Sequence, residues 1–306
     1  MKRFFSIILL IILLISMLCQ VSFAASYVPP FEVQGKSVYM ANLDSNMIIY
    51  DKAATEKTDA GIMSQLMTVL LAMEKIENPK DVSITMKGYI QDDMNAAYNK
   101  YGSIRLGGIY KGETLTAENL MYAVTLQNAG EAAYMLADYI SDGSVDYFVK
   151  LMNVRAKELG MNSTNFTNPT GLPDEKSYTT AYDIYLLARH AMENPKFMSL
   201  IEETSHNGGP TNRQESLLWT TTNKFLQKSS DYYSPSITCI KVGDNPQTGE
   251  SSTVAIAKKN GYTYMLSLLD TKDSTNEKIP NRSAVFSETM KLFKWSFETF
   301  RVKTLL

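Results

Sequence analysis

The chain has 306 residues, 44% of them hydrophobic and 20% charged, enough apolar material for one large core or two smaller ones. A formal net charge of -2 from 30 basic and 32 acidic side chains provides no positive field for nucleic acid or an anionic membrane surface. His190 and His206 are the only histidines, and neither sits in an HExxH motif or a Cys/His cluster. Zinc chemistry therefore has no visible ligand set, and no cofactor is expected.

In chain order, Lys2 and Arg3 precede a run of about fifteen mostly apolar residues that closes on small residues at Ser22-Phe23-Ala24, the three-part pattern of a secretory signal peptide cut after Ala24. The run is short for a bilayer span, so no stable membrane anchor is expected after processing. Leu18 is too bulky to make Cys19 a lipidation site. Loss of the leader leaves Cys239 as the only cysteine, which excludes an intramolecular disulfide and suits a small core residue.

Val28-Pro29-Pro30 reads as an extended linker. Ser37–Leu43 and Met47–Tyr50 follow as two strands of a hairpin around the turn residues Asp44-Ser45-Asn46. Helical periodicity covers Ile62–Ile76, Ala117–Ile140 and Val145–Leu159, with Gly160 at the expected stop of the last. It resumes over Tyr178–Asn194, where Pro195 ends the pattern. Three short strands, Ile237–Val242, Ser252–Lys258 and Thr263–Leu269, come next, with Asn260-Gly261 as a two-residue turn between the last two. Arg282–Phe300 closes the pattern as an amphipathic helix. Strands at both ends with helices between and after them predict an α+β fold: an antiparallel sheet assembled from distant segments, flanked by helices, with a helical region inserted in the middle.

Several stretches carry a more specific signal. Leu159-Gly160-Met161 is followed by Thr164-Asn165-Phe166-Thr167-Asn168-Pro169-Thr170-Gly171-Leu172-Pro173, and then by Thr180-Ala181-Tyr182-Asp183 at a helix start. This succession resembles the D-alanyl-D-alanine carboxypeptidases among the penicillin-binding serine peptidases. The resemblance extends over Ala41–Asp44, Gly112–Thr116, Phe148–Leu159 and Tyr232–Ala257, and thus over roughly Ser37 to Leu269. It implies the β-lactamase/transpeptidase-like fold, a five-stranded antiparallel sheet between helices with an all-helical lobe. It also implies one domain over residues 25–306, with its core at about 37–300. The chain ends at Leu306, soon after the last helix, so the β-rich C-terminal domain and anchoring helix of many relatives are expected to be absent.

Acyl transfer of the family's kind needs a serine, a base one helical turn away and oxyanion donors, supplied there by S-x-x-K, S-x-N and K-T-G. Residues i and i+3 share a helix face, which lets the lysine amine reach the hydroxyl. On this sequence the resemblance puts Ile62 at the nucleophile and Gln65 at the base, with Leu66-Met67-Thr68 matching the family's residues just after the lysine. Ile62 carries no heteroatom, and the amide of Gln65 is a far weaker proton acceptor than an amine. Ser64 is no substitute: two positions turn a helix by about 200°, and Met67 stands three residues on. No serine in the chain begins an S-x-x-K, while Thr221, Thr238 and Thr275 precede a lysine by three only by coincidence. The second motif falls on Asn128-Ala129-Gly130, with Asn128 for the serine and Gly130 for the asparagine. The third falls on Lys241-Val242-Gly243, where a methyl replaces the hydroxyl. Lys241, Gly243 and Asn128 are the candidate ligand-binding residues, although Lys241 equally reads as a solvated lysine at a strand end and Asn128 as a turn residue.

The expectation is a secreted, extracellular or wall-associated homologue without catalysis, serving as a binding module for peptidoglycan stem peptides or an envelope protein. Losses within one catalytic unit are not additive, so reverting a single residue should not restore turnover. Two alternatives stand beside it: an active serine-type D-Ala-D-Ala carboxypeptidase with displaced catalytic residues, and a structural protein that binds only other proteins.

Overall fold

A computed structural model describes residues 28–102, 104–272 and 283–300. The expected leader at 1–24, with Cys19, and the Thr275 coincidence lie outside the described residues. A continuous run of apolar residues, buried on both faces, forms β1 (Ser37–Asn42), and a turn with Asn46 at φ 54° returns the chain as β2 (Met47–Lys52). A short 3-10 turn, Gly61–Met63, runs straight into α1 (Ser64–Lys75). The strand β3 (Ser83–Thr85) pairs with β4 (Thr114–Thr116), and between them lies α2 (Gly88–Tyr101). Periodicity did not reveal α2, because its buried stripe is only Ile90, Met94 and Ala97 among polar neighbours.

The single helix expected over Ala117–Ile140 is two, α3 (Ala117–Gln127) and α4 (Gly130–Ile140). Asn128 takes the left-handed conformation at φ 59°, which ends a helix. Thr116 caps α3 by accepting the Asn119 N–H, and Ser144 caps α5 (Val145–Glu158) through Tyr147. Thr180 caps α6 (Ala181–Ala191) through Asp183. Pro195, expected only to stop the pattern, instead begins α7 (Pro195–Glu202), with Asn194 as the cap. Proline suits the first helical position because its missing N–H has no partner there anyway.

A short hairpin, β5 (Ser205–Asn207) with β6 (Leu218–Thr220), folds back over the helices. Its buried Trp219 donates its indole N–H to the Gly107 carbonyl at 2.7 Å. The strands β7 (Ile237–Asp244), β8 (Ser251–Lys259) and β9 (Tyr262–Thr271) then complete an antiparallel sheet in the order β2-β1-β9-β8-β7. Asn260 and Gly261, at φ 53° and 82°, make the tight turn between β8 and β9. α8 (Ser283–Thr299) is the last described helix.

The sheet is buried on both faces. Tyr39, Ile240, Val254, Ile256 and Met265 pack against the helices α1 to α7. Val38, Met40, Leu266 and Leu268 pack on the other face beneath Val285, Phe286 and Phe293 of α8. Cys239 is buried in that second cluster, as a small core residue.

The loop Phe166–Pro173 passes across the start of α1. The Asn168 carboxamide oxygen organises it by accepting the N–H groups of Thr170, Gly171 and Leu172 at 2.8–3.1 Å. Gly171 sits at φ 78°, and a Cβ there would lie 2.6 Å from the Gly61 carbonyl oxygen and 2.8 Å from the Ile62 Cα. Both strain and backbone overlap oppose any side chain. Gly171→Ala should therefore lower stability by about 2 kcal/mol or more, read as a fall in the urea midpoint; a shift within error would refute this packing.

Candidate functional site

The 3-10 turn that presents Ile62 is fixed from below. Asp59 accepts the Gly61 N–H at 3.1 Å on one oxygen and the Asn245 amide at 2.6 Å on the other, and burial raises its pKa. Ile62 is 8% exposed and fills the space beside β7. A Cβ on Gly243 would lie 2.5 Å from the Ile62 Cγ1, so the isoleucine and the glycine are complementary shapes.

One turn further along α1, Gln65 is 1% exposed. Its Nε2 donates to the backbone carbonyls of Asn128 at 3.0 Å and Thr170 at 2.8 Å. Its Oε1 accepts from the Lys241 ammonium at 2.7 Å, and that ammonium also donates to the Val124 carbonyl at 2.8 Å. Lys241 is 4% exposed, which corrects its reading as a solvated strand-end lysine. The Gln65 amide and the Val124 carbonyl accept from it.

Asn128 closes the circle. Its side-chain amide donates to the Val242 carbonyl at 2.9 Å, tying the α3–α4 junction to the edge strand. The Val242 side chain belongs to the core on the opposite face of the sheet, so at this position the backbone carbonyl, rather than a methyl, meets the site. Gly130 opens α4 and donates its N–H to the Arg105 carbonyl at 3.0 Å.

Ile62, Gln65, Asn128 and Gly130 line one cleft together with Arg105, Thr170 and Asp244. Its free volume is about 30 Å³, room for roughly one water, where small-molecule pockets run to about 300–1,000 Å³. Arg105 and Asp244 form an ion pair at 3.6 Å within the lining. Thr170 carries the only hydroxyl among the described lining residues. It donates to the Asn168 carboxamide oxygen at 2.9 Å. Gly243 touches Ile62 without lining this space. The structure thus brings together all six residues singled out from the sequence, four around the cleft and two behind it.

Motif spacing gave no sign of Arg105, Asp244 or Glu131. Glu131 follows Gly130, is fully buried, and accepts the N–H groups of Gly107 at 2.6 Å and Ile109 at 3.3 Å on one oxygen. Its other oxygen has no protein partner. Burial pushes its pKa up to about 7 against the opposing pull of the N–H groups of Glu131 itself, Ile109, Gly107 and Gly108. An acidic residue next to a helix-opening glycine is its only sequence trace.

Comparison with known proteins places this geometry. A family model described as D-alanyl-D-alanine carboxypeptidase matches residues 23–273. The D-alanyl-D-alanine carboxypeptidase DacF of Bacillus subtilis is 32% identical over 160 residues, 52% of this chain but only 39% of that protein. A D-alanyl-D-alanine carboxypeptidase of Streptomyces sp. strain K15 is 25% identical over 268 residues, covering 85% of this chain and 86% of the relative. The crystal structure of the Streptomyces K15 DD-transpeptidase superposes with a TM-score of 0.74 at 24% identity, over 89% of this chain and 100% of that one. A penicillin-binding protein homolog from Mycobacterium tuberculosis gives 0.73 at 20% identity, over 92% and 98%.

Two measurements probe the packing and the buried acid. Gly243→Ala should cost about 2 kcal/mol by overpacking against Ile62, and most of that cost should vanish in an Ile62→Ala background; equal costs in both backgrounds would refute the contact. Glu131 holds its proton to about pH 7 when folded, against an ordinary 4.5. Between these values the unfolded chain has released a proton that the folded chain keeps. Stability should therefore fall as pH rises from 4.5 to 7, by about 3 kcal/mol in total. Glu131→Gln should flatten that part of the urea-unfolding profile, and an unaltered slope would exclude Glu131 as its source.

Proposed function

Since the chain belongs to the D-alanyl-D-alanine carboxypeptidase family, we propose that it keeps the family's fold as a binding or regulatory module and has given up the hydrolysis. One observation carries this reading. Where the family's chemistry calls for an amine free to take a proton, both ends of the Gln65 amide are committed to protein partners. Ile62, one turn earlier, offers no nucleophile and occupies the space a substrate would enter. Donors for a developing oxyanion stabilise nothing without an attacking group.

The ligands that suit such a module are peptidoglycan stem peptides or an envelope protein, and the expected leader makes it an exported one. Among the described residues no helix is long and apolar enough to cross a membrane. With only about 30 Å³ free in the cleft, recognition falls to its mouth, around Arg105 and Asp244.

Intact-mass spectrometry after incubation with benzylpenicillin tests the loss of chemistry. No adduct should form on the protein, or on Ile62→Ser alone, because Gln65, Asn128 and Gly130 remain. A stoichiometric penicilloyl adduct on the unmodified chain would overturn the proposal in favour of a displaced nucleophile. Sedimentation with purified sacculi tests the ligand: the protein should pellet with cell wall, and its absence from the pellet would exclude peptidoglycan as the ligand and point to a protein partner.

A further inference from the structure

A second cavity opens at the far end of α1, with about 390 Å³ of free volume against about 30 Å³ in the cleft. Gln65 and Ile76 mark the two ends, roughly 16 Å apart at the helical rise per residue. The cavity is enclosed by the end of α1, residues 77–81 after it, the first turns of α3, and the start of α7.

Its floor is apolar: Ile76, Met121 and Leu200 are each no more than 4% exposed, and Met73 lies beside them. Tyr122 forms one wall, its ring stacked on His206 at 3.7 Å and 11°, which fixes its orientation. The rim is polar and almost balanced in charge. Glu77, Asp81 and Glu118 supply carboxylates, Lys80 and Lys196 supply ammonium groups, and Lys80 pairs with Glu118 at 3.7 Å.

We propose that this cavity binds a neutral sugar, a pyranose or a disaccharide of pyranoses. A pyranose has an apolar C–H face and a rim of hydroxyls, and the cavity offers a preformed apolar floor and ring wall under a rim of carboxylates. Hydroxyls donating to carboxylates form charge-assisted hydrogen bonds, stronger than neutral ones. Mixed carboxylates and ammonium groups leave no net attraction for an anion. A wholly apolar ligand would strip water from charged side chains without returning hydrogen bonds. A nucleobase sandwich is excluded at Tyr122, since His206 already covers one ring face. The volume falls within the range of small-ligand sites. The proposal is independent of the cleft and of the reading given to it.

Titration calorimetry on the whole chain tests it, with N-acetylglucosamine and its β-1,4-linked dimer as probes. Saturable millimolar binding is expected, tighter for the dimer. Ser199→Trp should weaken it at least tenfold by filling the cavity from an exposed position that leaves the fold intact, and Tyr122→Ala should do the same; Ile62→Ala, in the cleft, should leave it unchanged. N-acetylglucosamine 6-phosphate should bind no more tightly than the neutral sugar. No saturation with either neutral probe, undiminished binding in Ser199→Trp, or tighter binding of the phosphate would each overturn the proposal.

Discussion

One buried side chain holds this site in its present form. Gln65 spends both hydrogens of its amide on carbonyls from two loops and gives its oxygen to the ammonium of Lys241. A polar group out of water must find such partners or cost several kcal/mol. Gln65 is therefore a four-way joint between α1, the Asn128 junction, the Phe166–Pro173 loop and the edge strand. Lys241 in this joint donates to the Gln65 and Val124 oxygens, and a cluster of oriented dipoles in a dry interior carries more weight than the same groups in water. In this fold the Gln65 side chain serves as a structural tie.

Ile62 adds a second, apolar tie. Its branched side chain lies against Gly243, and its backbone passes close under Gly171. Polar groups remain at the mouth of the cleft, in the ion pair of Arg105 with Asp244. Around this centre the caps, turns and core are mutually consistent, as Thr116, Ser144 and Thr180 illustrate at three helix starts.

Local chemistry decided which parts of this arrangement were legible beforehand. The apolar runs of β1 and β8, the Asn260-Gly261 turn and the stop at Gly160 depend on neighbours in sequence, and they could be read directly. The break at Asn128 escaped the periodicity because Ala129 and Gly130 do not interrupt an apolar pattern. The hairpin at Ser205–Thr220 is held by its own side chains on distant backbone, such as the Gln214 amide on Gly108 and the Asn212 amide on Gly112. No periodicity encodes that. At the site, motif spacing marked Ile62, Gln65, Asn128, Gly130, Lys241 and Gly243. The contact of Lys241 with Gln65 joins residues 176 positions apart, so the burial of that lysine became visible only with the fold.

The sheet order β2-β1-β9-β8-β7 places β9, the last described strand, at the centre, with the first strand beside it. Ser37 pairs with Leu269 and Asn42 with Tyr264, more than two hundred residues along the chain. Closing so long a loop must precede the contacts that reward it, which makes folding slow. Until the C-terminal third has been synthesised, the β1–β2 hairpin has no partner for its inner edge, and a lone hairpin is marginal in water. The Gln65 joint is thus a late feature of the folding chain, since it needs Lys241 from β7. A chain interrupted before β9 would leave the edge of β1 open to pairing with other chains.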